Sequence, residues 1–246
     1  MILLLNPDVE LETPLDALAE ACGRPDVGAV SGQLVDPEGR IQAGFTVRRF
    51  PTPMTLVFEA LGINRVFPWN PVNRRYRCRD LDLSKPAEVE QPPGAFLMFR
   101  RDVWQRLGGF DTQFRPIWFE DVDFLKRARL AGMQIQYRPE VIARHGGGHS
   151  IASMDWRCRE VCWYVSLLKY ASKHFRPYAY RGVSAAVLLG SMFRAVIGVI
   201  HRRSFRPLPV YAKVAQLAGR GLISGHTVEM GCVSSHGERA GRGELL

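Results

Sequence analysis

Residues 1–35 read MILLLNPDVELETPLDALAEACGRPDVGAVSGQLV. The apolar run Met1–Leu5 stops at Asn6-Pro7-Asp8. It predicts a buried strand ending in a polar turn, because proline cannot continue a central strand. Thr13-Pro14 then predicts a helix through Ala21, with Leu15, Leu18 and Ala19 on one face. Val27–Val30 and Gln33–Val35 read as two short strands around Gly32, and Asp36-Pro37-Glu38-Gly39 as a turn from which Ile41–Val47 leads out. Strand, helix, strand is the opening of an α/β sheet.

Outward from this stretch, residues 48–90 hold Pro51, Pro53, Pro68, Pro71 and Pro86 and a basic cluster of Arg74, Arg75, Arg77 and Arg79. They read as a long excursion with one short helix near Leu56–Leu61, serving either as plain surface or as an active-site loop. Gln91–Phe99 predicts a strand after the small step Gly94-Ala95. Arg101–Leu107 predicts a short helix with Trp104 and Leu107 inward, ended by Gly108-Gly109. Trp118-Phe119-Glu120-Asp121 opens a helix that runs to Ala131 and is stopped by Gly132. Met133–Tyr137 reads as a strand closed by Pro139, and Val141–Ala143 leads to His145 and a glycine run. Helices follow at Val161–His174, Tyr178–Ile200 and Leu208–Leu217. The Gly/Ser/Glu/Arg-rich end from 224 to 246 reads as frayed.

Composition excludes several classes. Apolar residues make up 46% and charged residues 23%, which rules out a disordered chain. Glycine and proline are dispersed, which rules out collagen-like repeats. Five cysteines, at 22, 78, 158, 162 and 232, form no paired framework and no zinc cluster, and suit a reducing compartment. The opening apolar run is short for a signal peptide and has no basic residues before it. Charge is uneven. Residues 1–144 hold 19 Arg/Lys and 19 Asp/Glu, whereas residues 145–246 hold 14 and 5, so the second part carries the whole +9. That asymmetry points to an anionic partner. The basic residues flank the apolar run Val183–Ile200, 18 residues with Arg194 as their one charge, and do not interleave with aromatic platforms. The expectation is a membrane surface and not nucleic acid. A helix with positive charge at both ends suits a position in the headgroup layer, with basic side chains reaching the lipids. The alternatives are a buried helix and a true span.

Three sets of residues carry chemistry. Asp8, at the end of the first predicted strand, stands where α/β folds bind ligands, and Pro7 would aim it at a metal held by phosphate oxygens; the same residues also make an ordinary strand-ending turn. Glu120, Asp121 and Asp123 place three carboxylates in four residues. Acidic first turns suit a helix dipole, but Asp121 and Phe124 share a face while Asp123 can pair with Lys126 or Arg127. One carboxylate would then enter a pocket, where it can take a proton from a hydroxyl. His145 precedes three glycines and reads either as a turn histidine or as a ligand to metal or phosphate. Asp8, Asp121 and His145 each follow a predicted strand or loop end, which makes them candidates for one cleft.

Five segments together resemble the family-2 glycosyltransferases of the GT-A fold, in the bacterial rhamnosyltransferase-like branch. They are Leu3–Asp8, Gly94–Met98, Gly108–Asp111, Trp118–Phe124, and Tyr137-Arg138-Pro139 with His145–Ser150. The resemblance spans residues 1–150. It implies an α/β, Rossmann-like mixed sheet with flanking helices, lacking the N-terminal part of the nucleotide-binding half, plus a C-terminal helical region. The division that follows is a partial GT-A domain at 1–150, a helical, basic, membrane-associated region at 151–223, and a disordered tail at 224–246. The implied activity is inverting transfer of a sugar, rhamnose in this branch, from a nucleotide-sugar donor to a lipid-linked or cell-envelope polysaccharide acceptor, at the cytoplasmic face of the plasma membrane. Asp121 would be the general base and Glu120 would shape the acceptor pocket. Asn6, Asp8, Gly94 and Ala95 would bind donor. Asp8 and His145 would meet Mg²⁺ or Mn²⁺. Asn6 stands where the family has a first carboxylate, which thins the charge around the metal. A chain without its first strands is expected to risk inactivity. The rival readings are therefore a non-catalytic membrane-associated remnant or scaffold, and a metal-dependent hydrolase of nucleoside diphosphate sugars.

Overall fold

The structure, a computed structural model, describes residues 1–146 and 154–226. The glycine run beyond Gly146, with His149 and Ser150, and the tail beyond His226 lie outside the described residues. Ile2–Leu5 forms β1 and Val9–Leu11 forms β2; α1 is Asp16–Gly23 and β3 is Val27–Val35. Helices α2 (Pro53–Ala60), α3 (Ile63–Val66) and α4 (Pro71–Tyr76) follow, then β4 (Ala87–Glu88), β5 (Phe96–Phe99) and α5 (Arg101–Leu107). Next come α6 (Glu120–Leu130) and β6 (Gln134–His145), and then three long helices: α7 (Trp156–His174), α8 (Pro177–Arg202) and α9 (Pro207–Ser224).

The strands make one mixed sheet in the order β1-β5-β3-β6-β2, with β4 also on β6. β3 and β6 are parallel, while β5 is antiparallel to both β1 and β3. Each face is covered. Leu18, Ala21 and Cys22 of α1 pack with Val30, Leu34, Phe96 and Val141 on one side. On the other, Ala29, Leu97, Phe99 and Ile135 share a continuous core with Leu56, Phe124, Leu167, Tyr170, Val183 and Val214. The C-terminal helices thus pack into the same apolar core as the sheet, the layering by which α/β domains bury both faces.

Several sequence expectations change. Val27–Val35 is one strand, not two, and β6 runs through Pro139 instead of ending there. The two corrections have one cause. The β3–β6 register jumps between Gly32, opposite Arg138, and Gln33, opposite Ile142. Pro139 lies in that irregularity, where its missing N–H costs no ladder bond. Gly32 leaves the room, since a Cβ there would overlap the Val141 carbonyl oxygen and the Phe96 ring. The Ile142 N–H donates to Thr13 Oγ1 at 2.8 Å, so Thr13 holds the bulge and the helix begins only at Asp16. The strand expected from Gln91 begins at Phe96.

The 48–90 excursion carries three helices, not one. Each of the two longer ones has a cap the sequence displays: Thr52 accepts from the Thr55 N–H before Pro53, and Asn70 from the Asn73 N–H before Pro71. Ile41–Val47 is a loop in which only Ile41 bridges back to Val35. In α5, Val103 is the fully buried residue, and Trp104 and Leu107 are partly buried against the core.

Candidate active site

Chain topology brings the candidate segments to one end of the sheet. β1 ends beside the start of β5, and the Asn6 N–H donates to the Ala95 carbonyl at 3.0 Å. Asn6-Pro7-Asp8 and Gly94-Ala95 therefore leave neighbouring strands. β2 pairs with the end of β6, Val9 opposite His145, and the Gly146 N–H donates to the Asp8 carbonyl at 3.1 Å.

Asp8 and His145 meet. His145 Nε2 stands 3.6 Å from Asp8 Oδ2, with both side chains over nine-tenths buried. The Gln42 amide N–H donates to the His145 carbonyl at 3.0 Å, and Gln42 Oε1 lies 3.1 Å from His145 Nδ1. With that amide orientation Nδ1 donates to Gln42 Oε1, and Nε2 is the ring nitrogen that faces the carboxylate. Phe45 stacks on the imidazole at 5.2 Å and 8°. Asp8 Oδ1 is buried with no hydrogen-bond partner. A carboxylate oxygen without a donor, beside an imidazole nitrogen, is a pair of side chains of the kind that can meet a divalent cation that also takes phosphate oxygens. Among the described residues no group of three or more His, Cys, Asp or Glu converges.

Asp121 and Gly94 form the second pair. The Gly94 N–H donates to Asp121 Oδ2 at 2.7 Å and the Val122 N–H to Oδ1 at 2.8 Å. A Cβ at Gly94 would stand 3.1 Å from the Asp121 carboxylate, so the glycine permits the contact. Burial raises the Asp121 pKa, while these N–H bonds and the Arg48 charge pull it down; the balance is upward. Glu120, with a buried Oε2 that has no partner, is pushed up to about 7, first by burial and then by the Asp121 charge. Two carboxyls so coupled titrate as a pair, and their proton is exchangeable near neutral pH.

The backbone aims this pair. Trp118 and Phe119 both have left-handed φ, 72° and 71°, a conformation that bulky residues avoid. Trp118 packs edge-on against Trp163 at 5.4 Å, and Phe119 packs on Trp163 and Tyr170. The Ser166 hydroxyl donates to the Ile117 carbonyl at 2.9 Å. Helix α7 thus holds the turn that starts α6. Asp123 points away from the site, as the spacing expected, and is fully buried among Arg127 (2.8 Å), Lys173 (2.7 Å) and His174 (2.8 Å). Lys126, the other expected partner, lies instead over the Phe50 ring at 4.6 Å.

Sequence reasoning missed Gln42, Phe45 and Arg48. Gly44, at φ 77°, turns the loop that presents them, and its carbonyl accepts from Arg48 Nε at 3.0 Å. The guanidinium lies over Phe45, the ring that stacks on His145, at 5.2 Å, and its charge acts on Asp121. The glycine inside Ile41–Val47 was the available signal, since it breaks a strand reading.

The mixed sheet with flanking helices is consistent with an α/β fold of the GT-A type. Residues 48–163 match the model of the "Glycosyltransferase like family 2", a span that includes Arg48, Gly94, Asp121 and His145 and leaves out Asp8. Among known proteins the chain is 30% identical over 151 residues to the N-acetylglucosaminyl-diphospho-decaprenol L-rhamnosyltransferase of Mycobacterium tuberculosis, covering 61% of this chain and 48% of that protein. It is 31% identical over 138 residues to the O-antigen biosynthesis protein RfbC of Myxococcus xanthus, covering 55% of this chain and 10% of that one. The chain thus spans about half the length of the mycobacterial relatives it matches. The resemblance to family 2, rhamnosyltransferase-like branch, holds.

Proposed function

We propose that this chain transfers a sugar, rhamnose by analogy with its mycobacterial relatives, from a nucleoside-diphosphate donor to a lipid-linked acceptor, with inversion. The observation that carries the reading is the half-buried Asp121 carboxylate, anchored by the Gly94 N–H at the sheet end where Asp8 faces His145. The acceptor hydroxyl attacks the anomeric carbon, the bond from that carbon to the diphosphate oxygen breaks, and Asp121 takes the hydroxyl proton. Glu120, protonated at about neutral pH, gives the acceptor pocket a neutral hydrogen-bonding group. Gly94 and Ala95 let the donor sugar approach the backbone, and Asn6 lines the same edge. Asp8 and His145 would hold Mg²⁺ or Mn²⁺, which when bound offsets charge on the departing nucleoside diphosphate. Arg48 places a further positive charge beside the reacting groups.

The exposed face of α8 supports a membrane-surface location. Leu189, Met192, Phe193, Val196, Ile197 and Ile200 are exposed, while Val183, Val187 and Gly190 on the opposite face pack inside the protein. That pattern favours a helix lying along lipid at the cytoplasmic face over one that crosses it. Arg194 does not reach for lipid as expected; it donates to the Ala60 and Glu59 carbonyls at the end of α2. The division into a sheet domain at 1–150 and a membrane-associated region at 151–223 belongs to the same proposal.

The test is acceptor dependence. The chain is incubated with nucleotide sugar and Mg²⁺ or Mn²⁺, with and without a prenyl-diphosphate sugar. Release of nucleoside diphosphate only when acceptor is present supports transfer. Release without acceptor indicates a hydrolase, and no release in either case indicates a scaffold.

A further inference from the structure

The basic cluster at the end of α4 and just beyond it has no role in the site above. Arg74, Arg77 and Arg79, with Trp69, Leu81 and Leu83, line a cavity of about 620 Å³, and Trp69 and Arg74 also line a second of about 490 Å³. Several arginines elsewhere find carboxylates, among them Arg24 with Asp26, Arg40 with Asp36, Arg49 with Asp80, Arg100 with Asp102 and Arg144 with Glu12. Among the described residues, Arg48, Arg74, Arg77 and Arg79 have no carboxylate within ion-pairing distance. Arg77 is half-buried, and burial and then the neighbouring Arg48 charge disfavour its charged form. Its Nε donates to Asn73 Oδ1 at 3.1 Å, and a Cβ on Gly44 would stand 3.1 Å from its own Cβ. Arg79 lies over the Trp69 ring at 4.4 Å, which fixes its plane. Two held guanidiniums, Arg77 and Arg79, with Arg74 beside them and none in an ion pair among the described residues, line one cavity, and that is the chemistry that takes phosphate groups.

The surroundings distinguish a lipid diphosphate from a free one. Beside Trp69 the chain exposes Val66 and Phe67, 88% and 57% accessible, with Trp69 itself at 65%. A charged cavity with an apolar lip suits an amphiphile. Arg48 joins the cavity to the site, since its guanidinium lies 6.0 Å from the centre of the Tyr76 ring and its charge acts on both Arg77 and Asp121. We infer that the Arg74–Arg77–Arg79 cavity binds the diphosphate of the lipid-linked acceptor, with its prenyl chain leaving over Phe67 and Val66 and its sugar directed past Arg48 toward Asp121. This rests on the glycosyl-transfer reading and adds to it a site for the acceptor separate from Asp8 and His145.

The experiment is equilibrium binding of farnesyl diphosphate, a soluble prenyl diphosphate, to the full chain and to R74Q/R79Q. Both positions are exposed, and a thermal melt confirms an intact fold. Nucleoside diphosphate binding and the acceptor KM are measured on the same two proteins. The expected result is farnesyl diphosphate binding weakened by about tenfold or more in the variant. Nucleotide binding stays unchanged, and R74K/R79K falls between. Farnesyl diphosphate binding that is absent, or equal in wild type and R74Q/R79Q, overturns the inference, as does an equal loss of nucleotide binding. Arginine-dependent prenyl binding in a protein that transfers no sugar upholds the cavity and overturns the catalytic reading. Sugar transfer with an unchanged acceptor KM in R74Q/R79Q does the reverse.

Discussion

Glu120 and Asp121 are adjacent carboxyls in one partly desolvated turn, and their titration is the property most open to measurement at the residue scale. With Glu120 at about 7 and Asp121 raised, the acid limb of a pH–rate profile should lie well above the ordinary carboxylate range. E120Q should move that limb down, because it removes the group that burial and the Asp121 charge push to about 7. A limb unmoved by E120Q would mean that the pair is not coupled. The linked stability follows in sign. The folded state holds the Glu120 proton more tightly than the unfolded chain, so stability is full below about pH 4 and is lost as pH rises through about 7. Asp8 gives a second prediction. D8A should weaken nucleotide binding in the presence of Mg²⁺ or Mn²⁺ and leave it unchanged in EDTA; equal loss in both would assign Asp8 a structural role. These residues were legible because each stands at a strand end or helix start that its neighbours announce. Gln42, Phe45 and Arg48 were not, because their value comes from a loop that β3 and β6 place beside His145, and no local pattern encodes that contact.

Between elements, α6 and α7 are joined by a buried charge cluster. Burial alone would raise the Asp123 pKa, but hydrogen bonds from His174, Lys173 and Arg127 outweigh it and hold the carboxyl at about 2. A depressed pKa contributes stability above the unfolded value, near 3.9, that is lost as pH falls toward about 2; the amount is about 2 kcal/mol. D123N leaves Lys173, Arg127 and His174 around a neutral amide, and should cost about 3–5 kcal/mol at neutral pH by denaturant melt, with its acid-side pH dependence flattened. A loss under 1 kcal/mol would contradict that arrangement. The sequence displayed Arg127 four residues on but hid Lys173 and His174, which belong to a helix fifty residues away. The β3–β6 bulge was hidden for a similar reason: Pro139 stops a strand unless a glycine on the neighbouring strand makes room, and that pairing is a tertiary fact.

For the whole molecule, the long C-terminal helices both complete the core and present an apolar exterior. Gly190 marks the first role, since a Cβ there would overlap the Ala60 carbonyl at the end of α2. Phe193, Ile197 and Ile200 mark the second. F193E/I197E/I200E should keep the fold and abolish cosedimentation with vesicles of anionic lipid, and undiminished binding would place the membrane contact elsewhere. The apolar length of α8 was legible from sequence, but its division into packed and exposed faces was not, because both faces are apolar. The most direct measurement of the central claim compares wild type with D121N for acceptor-dependent sugar transfer, alongside nucleotide binding. Turnover should fall about 10²–10⁴-fold with nucleotide binding unchanged. Near wild-type turnover in D121N would contradict the assignment of Asp121 as the base.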